Sequence, residues 1–242
     1  MWPSRLVEVP SRGYRARYIR RVPLTLELSA DGAELETLAA ALDPGRLGRR
    51  RMVGVAGAPG SGKSEFCRAL LDVLGPGAAG VPMDGFHLAD VTLAGRGLLG
   101  RKGAPETFDA RGYAALLERV RTGPAYDVYA PGFERTLEQP IAGAITVAPD
   151  ARVVLTEGNY LLLDRPEWQA VREQLDEVWF VQTDDALRRD RLLARHIEFG
   201  KSEAEARAWV ERVDDPNARL VETTRRRADR VVDLTAWRPA AV

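Results

Sequence analysis

The stretch Gly57-Ala58-Pro59-Gly60-Ser61-Gly62-Lys63-Ser64 fits the pattern G-x-x-x-x-G-K-[ST] at every position. Its glycines let backbone N–H groups turn inward around phosphate oxygens, and the amino end of a following helix adds positive potential there. A lysine in the seventh place reaches the outer phosphates, and the serine hydroxyl after it can ligate Mg²⁺. All eight residues, Gly57 through Ser64, are therefore expected to contact a nucleoside triphosphate. The loop alone leaves open what the phosphate is for.

Two carboxylates come next. Asp84 in "VPMDGFH" and Glu157 in "VVLTEGNY" each follow an apolar run, which predicts strand ends facing the same cleft as the loop. Phosphoryl transfer to a hydroxyl needs one carboxylate near the nucleophile and another group near the metal. Asp84 is expected to act as base or acceptor orienter. Glu157 is expected to serve Mg²⁺ with Ser64, directly or through water. The competing reading for each is a carboxylate that caps a helix or turn.

Charge must also be neutralised as the phosphoryl group moves. Arg188, Arg189, Arg191, Arg195 and Lys201 lie in an Arg-rich section, where Arg188, Arg191 and Arg195 share one helical face by spacing. A solvated face is the competing reading. Arg101 and Lys102 in "GRKGAPETF" form a second basic point, in the section where an acceptor pocket has to be built; His87 is expected either to line that pocket or to serve as a structural hydrogen-bonding histidine.

The elements that position these residues alternate. "RMVGVAG" (51–57) reads as a buried strand and "SEFCRALLDVLG" (64–75) as a helix ending on glycine. "ELETLAAAL" (34–42) is a helix stopped by Pro44 and Gly45. "AGVPMDGFH" (79–87) predicts a second short strand ending at Asp84, and the Gly-rich section after it predicts loop. Asp109 is the candidate N-cap of a helix running to about Arg121. "YDVYAPGFERTLEQP" reads as loop and "GAITVAP" as a short strand. Val153–Thr156, "EVWFVQT" and "DRVVDL" are further buried strands, and two helices broken at Gly200 follow Thr183. This alternation predicts a three-layer α/β fold of the P-loop NTPase type, with a mostly parallel sheet and a helical lid. Its ligands sit beyond the carboxyl ends of the strands. Residues 1–48 are expected to form a leader and a helix packed on the core. Residues 49–242 form the phosphate-loop domain, with an acceptor section at about 85–150 and the lid at about 184–213.

Composition sets the outer bounds. In 242 residues, 35 Lys+Arg balance 35 Asp+Glu, so no global field draws the chain to nucleic acid or membrane. Aromatic residues make up 7%, too few for single-strand stacking platforms. The Arg49–Arg51 and Arg225–Arg227 clusters read as solvated faces. The lone Cys67 suits a reducing compartment and a buried, structural thiol. No apolar run suits a signal peptide or a membrane span, so a cytoplasmic protein is expected. A homodimer is the ordinary assembly to expect.

"GAPGSGKS", "MDGFH", "RKGAPETFD", "TEGNYLLL" and the Arg-rich section from Arg195 to Val232 together resemble the phosphoribulokinase/uridine kinase family of P-loop kinases. The likeness covers roughly residues 50–235 and is strongest to the pantothenate-kinase-like branch described as nucleoside/nucleotide kinase family proteins. It implies ATP- and Mg²⁺-dependent transfer of the γ-phosphoryl group to a hydroxyl of a small molecule: sugar, pantothenate-like or nucleoside. It also implies Asp84 as catalytic base, Glu157 near the metal, Lys63 with Arg191 and Arg195 on the phosphates, and Tyr129, Phe133 and Arg135 in the acceptor pocket. The sequence departs where uridine kinases place a second Asp or an aromatic after the Asp84 position; here Gly85-Phe86-His87 stands. "YAPGFERTLEQP" likewise replaces the Tyr-Ser-His element of true pantothenate kinases.

A nucleotide-hydrolysing switch or metallochaperone is the rival reading. The chain has no N-K-x-D element for reading guanine, and a switch leaves the section from Phe86 to Pro149 without a task.

Overall fold

The computed structural model describes residues 23–42 and 49–239. Of the expected leader, residues 1–22 lie outside the described residues.

The strand containing "RMVGVAG", β2 (Arg51–Gly57), alternates its side chains between two apolar layers: Met52 and Ala56 face one cluster, Val53 and Val55 the other. A strand buried on both faces belongs in the middle of a parallel sheet. β2 sits between β6 (Val153–Glu157) and β7 (Glu177–Gln182). With β1 (Leu24–Glu27), β3 (Ala78–Gly80) and β8 (Arg230–Asp233), the sheet runs β1-β8-β7-β2-β6-β3, with parallel pairing throughout. The edge strand β1 was not anticipated.

Helices α1 (Glu34–Ala41) and α2 (Lys63–Leu74) cover one face through Leu38, Phe66 and Leu70. The other face is covered by α4 (Ala110–Arg121), α5 (Pro166–Arg172) and α8 (Asp215–Glu222), through Tyr113, Leu117, Trp168 and Val221. The arrangement is the three-layer α/β fold expected. Asp109 caps α4 as predicted, its side chain accepting from the Gly112 amide at 2.8 Å. The Arg-rich section forms α6 (Asp185–Glu198) and α7 (Glu203–Trp209), joined to α8 by a π turn at Val210–Asp214. Among the described residues no helix is long and apolar enough to cross a membrane.

Four expectations are corrected. The strand predicted to end at Asp84 stops at Gly80: the last bond to β6 is the Val81 N–H to the Leu155 carbonyl at 2.8 Å, and after extended Pro82 the chain coils into a 3-10 turn, Met83–Phe86, that carries Asp84. The predicted loop around Tyr129 is a β-hairpin, β4 (Val128–Glu134) and β5 (Gln139–Val147), whose Pro131-Gly132 punctuation coincides with a register shift rather than a break in pairing. The Gly-rich section holds a short helix, α3 (Asp90–Gly95). The Arg49–Arg51 cluster is not a solvated face. Arg50 is buried and donates to four carbonyls (Val120, Ala148, Pro149 and Ala151), tying the ends of α4 and β5 to the root of β2. Arg49 and Arg51 pair with Asp176 and Glu177.

Candidate active site

The phosphate loop leaves β2 and enters α2 at Lys63. Gly62, at φ 91°, is the N-cap, so no side chain occupies the first-turn N–H groups of α2. Uncapped amide groups at a helix amino end are the ordinary requirement for holding an anion. Lys63 is 8% exposed and donates to the Ala58 carbonyl at 3.1 Å. Burial pushes its ammonium pKa down, and the nearby Glu157 and Asp84 carboxylates oppose that shift.

Glu157 stands at the carboxyl end of β6, as predicted from its strand. Burial and the neighbouring Asp84 push its carboxyl above the usual range, against Lys63 and the Ser64 hydroxyl. The Ser64 hydroxyl donates to Glu157 Oε1 at 2.9 Å. Adjacent corners of an Mg²⁺ octahedron with bonds of roughly 2.1 Å lie about 3 Å apart, so the pair fits the spacing of two ligand positions. Among the described residues no three His, Cys, Asp or Glu side chains converge on a metal. An ion held here would complete its shell with phosphate oxygens and water.

The two acids come together through close backbone approaches. A Cβ on Gly85 would lie 2.1 Å from the Pro131 carbonyl oxygen, and one on Gly158 would lie 2.5 Å from Met83 Cβ. The Asp84 turn is thus pressed between the hairpin and the end of β6. His87 pins it: its backbone amide donates to the Asp84 carbonyl at 3.1 Å and its Nδ1 lies 2.8 Å from the same oxygen. A carbonyl only accepts, so Nδ1 carries the proton. The ring is sandwiched between Phe108 and Phe133, at 4.0 and 4.8 Å between centroids, and burial holds its pKa below the ordinary histidine value.

Two clefts meet over Lys63. The smaller, about 140 Å³, is bordered by Asp84, His87, Lys102, Phe133, Glu138 and Glu157, and on its far side by the lid residues His196, Lys201 and Trp209. The larger, about 540 Å³, is bordered by Gly62, Glu65, Arg191, Trp237 and Pro239. Gly60, Lys63, Ser64, Arg135, Arg195 and Phe199 border both.

The predicted site residues therefore divide. Asp84, Glu157, His87, Lys102, Phe133 and Arg135 share the smaller cleft with Pro59, Gly60, Lys63 and Ser64. Arg195 stands at the seam, whereas Arg191 borders only the larger cleft, its buried Nη1 without a hydrogen-bond partner. Arg188, expected on the same face, is buried beneath the loop, donating to Asp185, Asp215 and the Pro59 carbonyl. Gly57, Ala58 and Ser61 lie in the phosphate loop but border neither of these two clefts. Arg101 turns away to Glu106 with its side chain 66% exposed, and Tyr129 is 59% exposed on the hairpin; neither borders the cleft.

The structure adds Asn159, Asn217, Asp214 and Trp209 to the cleft wall. Asn159 directly follows the Glu157-Gly158 strand end, a position the sequence did offer. Asp214 gave no such signal: the π turn aims it at His196 Nε2, 2.8 Å away, and no helical spacing announces a π turn.

No family model matches the chain. It is 32% identical over 178 residues to a Schizosaccharomyces pombe protein provisionally called a uridine kinase, covering 69% of this chain and 74% of that one. It is 36% identical over 125 residues to the ATP-dependent kinase-like protein notR' of Aspergillus versicolor, covering 49% of this chain and 73% of the relative. A crystal structure from Silicibacter sp. TM1040, provisionally called a fructose transport system kinase, superposes with a TM-score of 0.74 at 39% identity, over 82% of this chain and 98% of that one.

Proposed function

The chain belongs to the uridine kinase-like family of P-loop kinases, and on that premise we propose that it transfers the γ-phosphoryl group of ATP to a hydroxyl of a small polyhydroxylated molecule. The observation that carries this reading is the meeting of two clefts over Lys63, with Asp84 and Glu157 in the smaller one alone. ATP lies with its phosphates on the loop and its nucleoside in the larger cleft, beside Arg191 and Trp237. The acceptor lies in the smaller cleft.

Asp84 takes the proton of the acceptor hydroxyl. The acceptor oxygen bonds to the γ-phosphorus as the bond from that phosphorus to the bridging oxygen breaks, and ADP leaves with the electron pair. Lys63 and Arg195 hold the charge that builds on the transferring group. Ser64 and Glu157 would hold Mg²⁺, which would offset the charge of the phosphates. His87, neutral and packed between Phe108 and Phe133, fixes the Asp84 turn.

A cleft of about 140 Å³ is small beside the several hundred Å³ of drug-sized ligand sites. Its carboxylates and amides suit a compact molecule rich in hydroxyls, and the sugar-linked name of the Silicibacter relative agrees with that class. ATP consumption across sugars, polyols, hydroxy acids, pantothenate and nucleosides tests the reading. Acceleration by small polyols is expected. Acceleration by nucleosides alone overturns the acceptor class, and hydrolysis that no acceptor accelerates favours the switch reading.

A further inference from the structure

Among the residues bordering both clefts, Gly60, Lys63 and Ser64 belong to the phosphate loop and its helix, and Arg195 and Phe199 to the lid. Arg135 alone comes from the hairpin wall of the acceptor cleft. It opens the turn between β4 and β5, and its Nη2 lies 3.7 Å from Asp84 Oδ2. That separation is an ion pair beyond hydrogen-bond length, so the guanidinium donors are not committed to Asp84. A planar donor fork at the seam, beside Asp84, matches the oxygens of a phosphoryl group passing between the clefts.

The tip that carries Arg135 is fastened. Glu134 accepts from the Thr136 amide at 3.1 Å and from its hydroxyl at 2.8 Å. Glu138 is the one non-glycine residue with positive φ, 52°, among the described residues. That turn brings its carbonyl onto the Lys102 ammonium. Lys102 also pairs with Asp90 at 2.7 Å and lies 5.6 Å over the Phe133 ring, while the Asp90 amide donates to Gln139 at 3.2 Å. Lys102 is thus engaged by Asp90, the Glu138 carbonyl and the Phe133 ring before any acceptor enters. Strained backbone gathers where surrounding contacts hold a functional geometry.

We infer that Arg135 is a catalytic residue, delivered by the hairpin to the γ-phosphoryl group in flight, and that Lys102 is the positioning residue that bolts the hairpin tip in place. The inference rests on the phosphoryl-transfer reading above. It goes beyond an acceptor-pocket role for either residue.

Binding of MgADP with and without aluminium fluoride, a mimic of the transferring group, tests this without a known acceptor. The wild type is expected to bind MgADP more tightly with fluoride present. Arg135→Ala should lose most of that gain, about a hundredfold, while its MgADP affinity stays within about twofold. Arg135→Lys should keep part of the gain, and added guanidinium ion should restore part of it to Arg135→Ala. Lys102→Met, which keeps the stem over Phe133, should lose a smaller part. An Arg135→Ala protein with the full gain, or with both complexes weakened alike, overturns the catalytic role. A Lys102→Met protein with the full gain overturns the bolt. A wild type that binds MgADP and gains nothing from fluoride contradicts phosphoryl transfer itself, and this inference with it.

Discussion

The Ser64 hydroxyl donates to Glu157 Oε1 at 2.9 Å, joining the first turn of α2 to the end of β6 in the wall of the smaller cleft. The contact sets two oxygens side by side at the head of α2, where the proposed transfer needs a metal. Glu157→Gln keeps the shape and removes the charge. The Mg²⁺ concentration for half-maximal activity should rise about 10- to 100-fold, with nucleotide affinity measured without metal unchanged or improved. An unaltered Mg²⁺ titration would remove Glu157 from the metal site.

Arg191 and Arg195 are one helical turn apart, yet only Arg195 reaches the seam. Arg195→Ala should lower kcat by about a hundredfold with little change in KM for ATP, as expected for a group that binds the transition state. Arg191→Ala should mainly raise KM for ATP, by about tenfold, the loss of a ground-state contact. Steady-state kinetics on the two variants separates these roles, and equal effects on kcat would contradict the division.

Gly85 has no room for a side chain against Pro131. Gly85→Ala should cost about 1–3 kcal/mol in a denaturant titration, because backbone faces the added methyl. Activity should fall further than stability alone accounts for, since the turn carrying Asp84 must shift. A variant with wild-type stability and turnover would mean the hairpin yields freely.

The pH dependence of stability reports on His87. Its folded pKa lies below the unfolded value because the ring is buried, so between those two values the unfolded chain binds more protons. Stability is therefore present above the ordinary histidine pKa and is lost as pH falls below it. Urea titrations from pH 7.5 to 5.5 should show a steeper loss for wild type than for His87→Phe. Matching slopes would mean that His87 titrates as freely folded as unfolded.

The parts of the site that follow one another along the chain were legible in the sequence. Gly57–Ser64 and the β2 and α2 segments around it are local, and Glu157 ends an unbroken apolar strand, so spacing alone located them. Asp84 was identified for the cleft through the wrong element, because the ladder closes at Val81 and a 3-10 turn finishes the placement. The hairpin was hidden by Pro131 and Gly132, which read as loop until pairing across the turn is seen. Arg101 and Lys102 show the limit most clearly. They are neighbours of one type, yet one turns out to Glu106 and the other in to Asp90, a choice made by partners that spacing does not encode.

The fate of the γ-phosphate tests the central claim most directly. Phosphorus NMR of a reaction with ATP and the best acceptor of the screen should show a new phosphate ester growing in step with ADP. Asp84→Asn should bind ATP as the wild type does and form that ester at least about a hundredfold more slowly. Inorganic phosphate as the only product, released at the same rate with or without acceptor, would contradict the assignment of this chain as a small-molecule kinase.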